Sequence, residues 1–317
     1  MTEPTTYELS GVMTALSSII HSGGQSFGIT TKLRREKFVQ PDGSVEEVPV
    51  ISGNGLRGRL RDLGMLHFCR ALGYGVHEDT GRVDGLSLPA FYFLFSGGAL
   101  SASDGGKAVD LAYARTLREL IPLVGVFGGA IGNQILPGKL IIDKAYPICA
   151  ETSHLLPEPH RSTASIWGYL QEEMYTRKDD EKNEHLRPLL AGDTQRALLA
   201  GASSQALTEA GPQQMMYYVE SFAAGTRFYW RVLLTDTTTI EFEAFLAALI
   251  AFSRVPYVGG RSAAGLGHVA FEANQWRRID SRVSPQGDVV DVPIGTRYLA
   301  HLQEHGAAIR QVLAEMR

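Results

Sequence analysis

The order in which hydrophobic periodicities follow one another constrains this chain most: strand, helix, strand near the start, and the same succession near the end. Residues 7–20, YELSGVMTALSSII, mix apolar, β-branched and small residues before a His21-Ser22-Gly23-Gly24 break, the pattern of a core strand entering a loop. VPVISGNGLRGRLRDLGMLHFCRALG then reads as a short strand, a turn and a helix. In it Leu56, Leu60, Leu63 and His67 recur at helical spacing, Ser52 or Asn54 supplies the cap and Gly73 the stop. GKLIIDKAYPIC alternates as a strand ending near Pro147. In the last third, QQMMYYVESFAAG and TRFYWRVLLTD carry β-branched and aromatic residues around an Ala-Ala-Gly turn. TTIEFEAFLAALIAFSR follows as an amphipathic helix with Thr caps, and GGRSAAGLGHVAFEA is a glycine loop entering a strand. This order predicts an α+β fold whose ferredoxin-like sheet carries insertions.

Two stretches interrupt the pattern. Residues 74–110 are rich in Gly, Asp and Ser around an apolar island, SLPAFYFLFSGGAL, and predict an inserted lobe of short strands or turns, with a helix over 109–121 after it. From about 150 to 212 the chain is polar and fits neither periodicity well. Helices are expected there near 163–175 and 188–201, in an excursion from the main body. The tail, TRYLAHLQEHGAAIRQVLAEMR, predicts a terminal helix, and no tandem repeat is evident.

Composition removes several function classes. With 317 residues, 44% hydrophobic and 20% charged, the chain is long enough to bury one large core or two small ones. Its two cysteines, Cys69 and Cys149, sit far apart in apolar stretches, so neither a disulfide framework nor a CxxC metal site is available, and a reducing cytoplasm is expected. The first residues lack a basic region followed by an apolar core. No apolar run approaches the ~18 residues of a membrane span. A net charge of −4 speaks against uniform positive coating, yet residues 31–70 hold eight basic and five acidic side chains, so basic charge is concentrated early.

Two segments carry the chemistry. In ISGNGLRGRLR, small residues let main chain approach a ligand, a helix N-terminus offers amides and a positive dipole end, and Arg57 and Arg61 fall on one face four residues apart, which suits phosphate. The plain alternative, a glycine turn capping a helix with solvated arginines, stays open on these residues alone. In GGRSAAGLGH, residues 259–268, glycines leave amides uncovered while Arg261 and Ser262 can grip a sugar–phosphate chain. A dinucleotide fingerprint is excluded there, because it needs strand, loop, helix and the order here is reversed. His21 is a candidate general base without an identifiable partner. Asp179, Asp180 and Glu181 read as a solvated charge run, and prolines between His154 and His160 rule out a helical zinc pair.

Taken together these segments resemble a known superfamily. PVISGNGLRGRLR is similar to the "IPGSSLRG" helix-start motif of the RAMP (repeat-associated mysterious protein) superfamily, and VGGRSAAGLGHV to its glycine-rich loop before the last core strand. With SIIHSGG, FLFSGGAL, LIPLVGVFGGAIGNQILPGKL, YTRKDD and QQMMYYVESFAAGTRF in this order, nearly the whole chain resembles the Cas-seven-type backbone subunit of type IV CRISPR complexes. The resemblance implies a hand-shaped molecule with an α+β, ferredoxin-like (RNA-recognition-like) palm: residues 1–73, 111–149 and 216–275. It implies a finger-like insertion at 74–110, a thumb-like one at 150–215, and a tail and helix at 276–317.

On that resemblance, copies stack head to tail along a guide RNA (crRNA) and support its pairing with a target nucleic acid, DNA favoured over RNA. Large-subunit-like and Cas-five-like type IV subunits and a helicase are the other partners, and no membrane, cofactor or metal is implied. Expected RNA contacts are His21, Gly23, Gly24, Gln25, Ser52, Asn54, Arg57, Arg61, Gly259, Gly260, Arg261, Ser262, Gly265 and Gly267. Arg177, Lys178, Met215 and Met216 are expected in the thumb. Related type III subunits carry a cutting aspartate after the first strand, whereas GGQSFGITTKLRRE has none, so a holding subunit rather than an enzyme is expected. Two rivals remain: a guide-processing endoribonuclease of the same superfamily with His21 as base, and an α+β enzyme for a small phosphorylated ligand.

Overall fold

In the computed structural model, which describes residues 4–27, 30–76, 83–98, 110–177, 215–280, 284–290 and 296–316, the long strand β1 (Thr5–Ala15) sits at the centre of the main sheet. Leu9, Met13 and Ala15 alternate along it and are buried in the core, as the period of two requires. Helix α1 (Gly53–Ala71) follows, then β2 (Leu140–Ile142), β3 (Arg227–Thr237), α2 (Thr239–Arg254), β4 (Val269–Asp280), β5 (Ser284–Val290) and α3 (Arg297–Glu315). β1 pairs antiparallel with β3 on one side and β4 on the other, giving the order β2-β3-β1-β4-β5.

Helices α1 and α2 pack on the apolar face. In α1, buried Leu56, Leu60, Gly64 and Phe68 recur every four residues, and in α2 Phe242, Phe245, Ala248 and Phe252 do the same work. Tyr7 stacks on Phe242 at 3.9 Å between ring centroids, and Phe252 meets Phe271 of β4 edge to face. Gly64 lets the helices touch, since a Cβ there would lie 2.8 Å from that of Ala248. A capping box, Thr238 with Glu241, starts α2, and Glu241 also takes a 2.7 Å bond from Lys139. Both cysteines are buried and their thiols pushed up to about 11 by desolvation, which leaves them unreactive.

The opposite face of the sheet is partly covered. Val12 packs with Ile148 and Leu156, and the His160 ring lies 5.2 Å from that of Tyr229, so the stretch 148–160 roofs β1 and β3. A second sheet runs in the order Leu170–Arg177, Met215–Phe222, Thr30–Leu33, Ser22–Phe27. It joins the first through the bridge between Ile19 and Phe222.

Several local expectations change. Residues 163–175 are not a helix: a short turn, Ile166–Tyr169, leads into a strand paired along its whole length with Met215–Phe222. The two strands flanking the Ala-Ala-Gly turn belong to different sheets, so that turn is a corner between them. The island SLPAFYFLFSGGAL is helical from Leu88 to Ser96, because Ser87 caps it from Ala90 N–H and Pro89 fits its first turn. The expected helix at 188–201, the acidic run at 179–181 and Lys178 lie outside the described residues. Among the described residues no helix is long and apolar enough to cross a membrane.

Candidate nucleic-acid interface

The two glycine-bearing turns meet across two consecutive residues at the end of the first strand segment. Ile20 C=O accepts from Gly260 N–H at 2.9 Å, and its neighbour His21 reaches the other turn, where its Nε2 lies 2.9 Å from Ser52 Oγ. Main chain does most of the joining. Gly267 N–H donates to Ser18 C=O at 2.8 Å, and Arg34 N–H to His21 C=O at 2.9 Å. Ser22–Gly24, Asn54–Gly55 and Gly259–Gly265 are all exposed around this junction, as is Arg34.

Local conformation explains why the sequence is so rich in small residues here. Gly259 has φ of +78° and a Cβ on it would overlap the Ile20 carbonyl oxygen. Arg261 itself takes φ of +62°, an uncommon left-handed conformation for a side chain of its size, and its guanidinium lies 4.7 Å from the Tyr175 ring centroid. Ser52 caps α1, its hydroxyl oxygen accepting from Gly55 N–H, so the helix N-terminus with its positive dipole end faces the same junction.

Arg57 and Arg61 point elsewhere. Arg57 donates to Leu140 C=O (3.2 Å) and Phe127 C=O (2.6 Å), while Arg61 donates to Leu94 C=O (2.9 Å) and Gly128 C=O. Burial pushes both guanidinium groups down, Arg61 to about 10, with the charge of Arg57 adding to the effect. They tether α1 to three distant segments, and these bonds occupy donors that the sequence reading directs at phosphate. Arg34 at the junction carries no motif of its own, the excess of basic charge over 31–70 being its only signal, whereas Tyr175 opens the YTRKDD segment. Gln25, Arg177, Met215 and Met216 lie in described strands, but their side chains are outside the described residues.

His21 is held neutral. Its Nε2 accepts from Ser52 N–H at 3.0 Å, and burial, then the Arg34 charge, depress its pKa below the ordinary 6.5. A depressed histidine stabilises the fold fully above the unfolded pKa and loses that contribution as pH falls below it. Acidification from pH 7.5 to 5 is therefore expected to lower the unfolding midpoint of the wild type more than that of His21→Gln, which keeps an acceptor but no titration. His67 is depressed likewise, by burial and Arg254, and is common to both proteins. Each unit of depression corresponds to about 1.4 kcal/mol; superimposable pH profiles would refute the assignment. Among the described residues no three His, Cys, Asp or Glu are grouped to hold a metal ion.

No protein-family model matches the sequence, and neither does any curated protein. Among solved structures, a chain of the type IV-B CRISPR complex superposes with a TM-score of 0.56, over 91% of this chain and 96% of that one, at 24% identity. The fold is that of this complex's chain. Csc2 of Thermofilum pendens aligns over 97% of this chain and 76% of its own at 14% identity and a TM-score of 0.41, too loose a superposition to bear on function.

Proposed function

We propose that this chain is a Cas-seven-type subunit of the RAMP superfamily that binds guide RNA without cutting it and polymerises along it as the backbone of a type IV CRISPR ribonucleoprotein. One observation carries the reading: two turns that expose main chain and one arginine converge on the consecutive residues Ile20 and His21. Main-chain amides and a few cations grip phosphate irrespective of base, which a variable guide demands.

Several features support the finer parts. The strand order β2-β3-β1-β4 is that of a ferredoxin-like βαββαβ sheet, in keeping with a palm at 1–73, 111–149 and 216–275. The helical lobe at 88–96 fits a finger within 74–110, and the strand Leu170–Arg177 fits the base of a thumb spanning 150–215. RNA-recognition modules stack bases on the open sheet face. Here Val12 and Tyr229 on that face are roofed by 148–160, which favours a path across the glycine turns instead. His21 as the base of an endoribonuclease is disfavoured, since its Nε2 already serves a main-chain amide.

Fluorescence anisotropy with single-stranded RNA tests the proposal. Two unrelated guide-length RNAs are expected to bind alike. Arg261→Glu should weaken both about tenfold and flatten the log–log salt slope by about 0.7, the share of one phosphate no longer neutralised. Unchanged binding in Arg261→Glu, or metal-independent cleavage of a precursor RNA abolished by His21→Ala, would sink it.

A further inference from the structure

Where α1, α2 and α3 meet, a pocket of about 170 Å³ opens beside His67, with Glu243, Leu246, Ile250 and Arg254 of α2 and Tyr298 of α3 in its wall. It shares no residue with the glycine turns: His67 stands about 22 Å along α1 from the Ser52 cap at 1.5 Å per residue. Leu246 and Ile250 are neighbours on one face of α2 and lay an apolar stripe along the pocket. The volume compares with the ~150 Å³ that takes up a single benzene ring in an apolar cavity.

The polar groups around that stripe lack partners. Tyr298 is 2% exposed, yet its hydroxyl makes no hydrogen bond among the described residues. The same holds for Nδ1 of His67, whose ring stacks with that of Tyr298 at 6.5 Å between centroids. Buried polar atoms in native folds are nearly always paired, so two orphans on neighbouring rings of one pocket point to a ligand. Arg254 ends α2 in an exposed position, with no hydrogen-bond or ion-pair partner among the described residues. Glu243 is already committed, its Oε2 accepting from Tyr298 N–H at 2.8 Å at the start of α3. It lies about 16 Å from Arg254 along the axis of α2, which keeps the two charges apart.

A guanidinium, a phenolic O–H and an imidazole N–H are all donors, and their counterpart is a head made of acceptors. The stripe asks for an apolar body behind that head. We propose that this pocket binds a small carboxylic acid, with its carboxylate on Arg254, the Tyr298 hydroxyl and His67 Nδ1–H, and its apolar body along Leu246 and Ile250. The site is separate from the RNA surface, and the RNA reading stands or falls without it.

Benzoate is the probe, benzamide its neutral isostere, and inorganic phosphate a head without the body. In isothermal titration of the full chain, benzoate is expected to bind at least tenfold more tightly than either. Arg254→Gln should weaken benzoate at least tenfold. Tyr298→Phe removes only an unpaired hydroxyl, so benzoate should weaken about three- to tenfold, the share of one hydrogen bond, while the unfolding midpoint holds or rises. His67 supplies a second readout. Its imidazole faces Arg254 and Glu243 of α2 and Tyr298 of α3, and burial, then the Arg254 charge, depress its pKa. A carboxylate against Nδ1 favours the protonated ring, so saturating benzoate should raise that pKa and benzamide should not. The ring Cε1–H resonance, assigned with His67→Gln, reports it. The proposal is overturned by benzoate that fails to bind, binds no better than benzamide or phosphate, holds to Arg254→Gln as tightly, or leaves the His67 titration in place. A lowered unfolding midpoint in Tyr298→Phe would overturn it too, by showing that the hydroxyl serves the fold.

Discussion

Arg61→Ala is expected to lose about 3 kcal/mol of folding stability, while Arg261→Ala loses almost none. The guanidinium of Arg61 donates to Leu94 C=O and Gly128 C=O and lies 5.9 Å from the Phe127 ring centroid. Hydrogen bonds from charged donors contribute about 1.5–3 kcal/mol each, and the two carbonyls left behind belong to buried residues, Leu94 and Gly128. Arg61→Glu is worse, because it sets an anion against the same oxygens. Arg261 lies in an exposed turn, where substitutions usually change stability little. Denaturant unfolding of the two variants checks the contrast. An Arg61→Ala protein as stable as wild type but unable to bind RNA would show that this side chain serves the ligand after all.

Gly259→Val is the second large effect, expected at about 3 kcal/mol or more. A left-handed conformation costs a residue with Cβ about 1–2 kcal/mol, and a β-branched one strains further. Any Cβ here also overlaps the Ile20 carbonyl, so the turn must retreat and the Gly260 N–H bond to Ile20 breaks. Its neighbour is the control. Gly260 has no atom within 4 Å of an added Cβ, and Gly260→Ala is expected to stay within about 0.5 kcal/mol of wild type. RNA affinity should fall with stability in Gly259→Val alone, as measured by unfolding midpoint and anisotropy. Equal stability of the two variants would refute the role given to this close approach.

How far the fold can be read in advance depends on whether a segment's partner is local. α1 and α2 carry their caps and their four-residue apolar spacing within themselves, and both are legible. Leu170–Arg177 is not: Gln171, Glu172, Glu173 and Met174 favour helix, and only pairing with residues 215–222 makes a strand of them. The segment Leu88–Ser96 is helical where short strands or turns are expected, although Ser87-Leu88-Pro89 is a helix-start signal in its own right. Of the candidate site, the glycine turns are legible because positive φ and bare amides select small residues. The fate of Arg57 and Arg61 is hidden because their carbonyl partners lie 33 to 83 residues away. That both turns rest on Ile20 and His21 is a property of the folded sheet, which no spacing rule encodes.

The roof over Tyr229 has a consequence for what such a molecule can know. An aromatic ring capped by His160 is closed to a nucleobase, so this face of the sheet has no stacking platform to offer there. Were a strand held across the turns as proposed, it would be felt through its repeating linkage, its letters would stay turned outward, and discrimination would fall to base pairing.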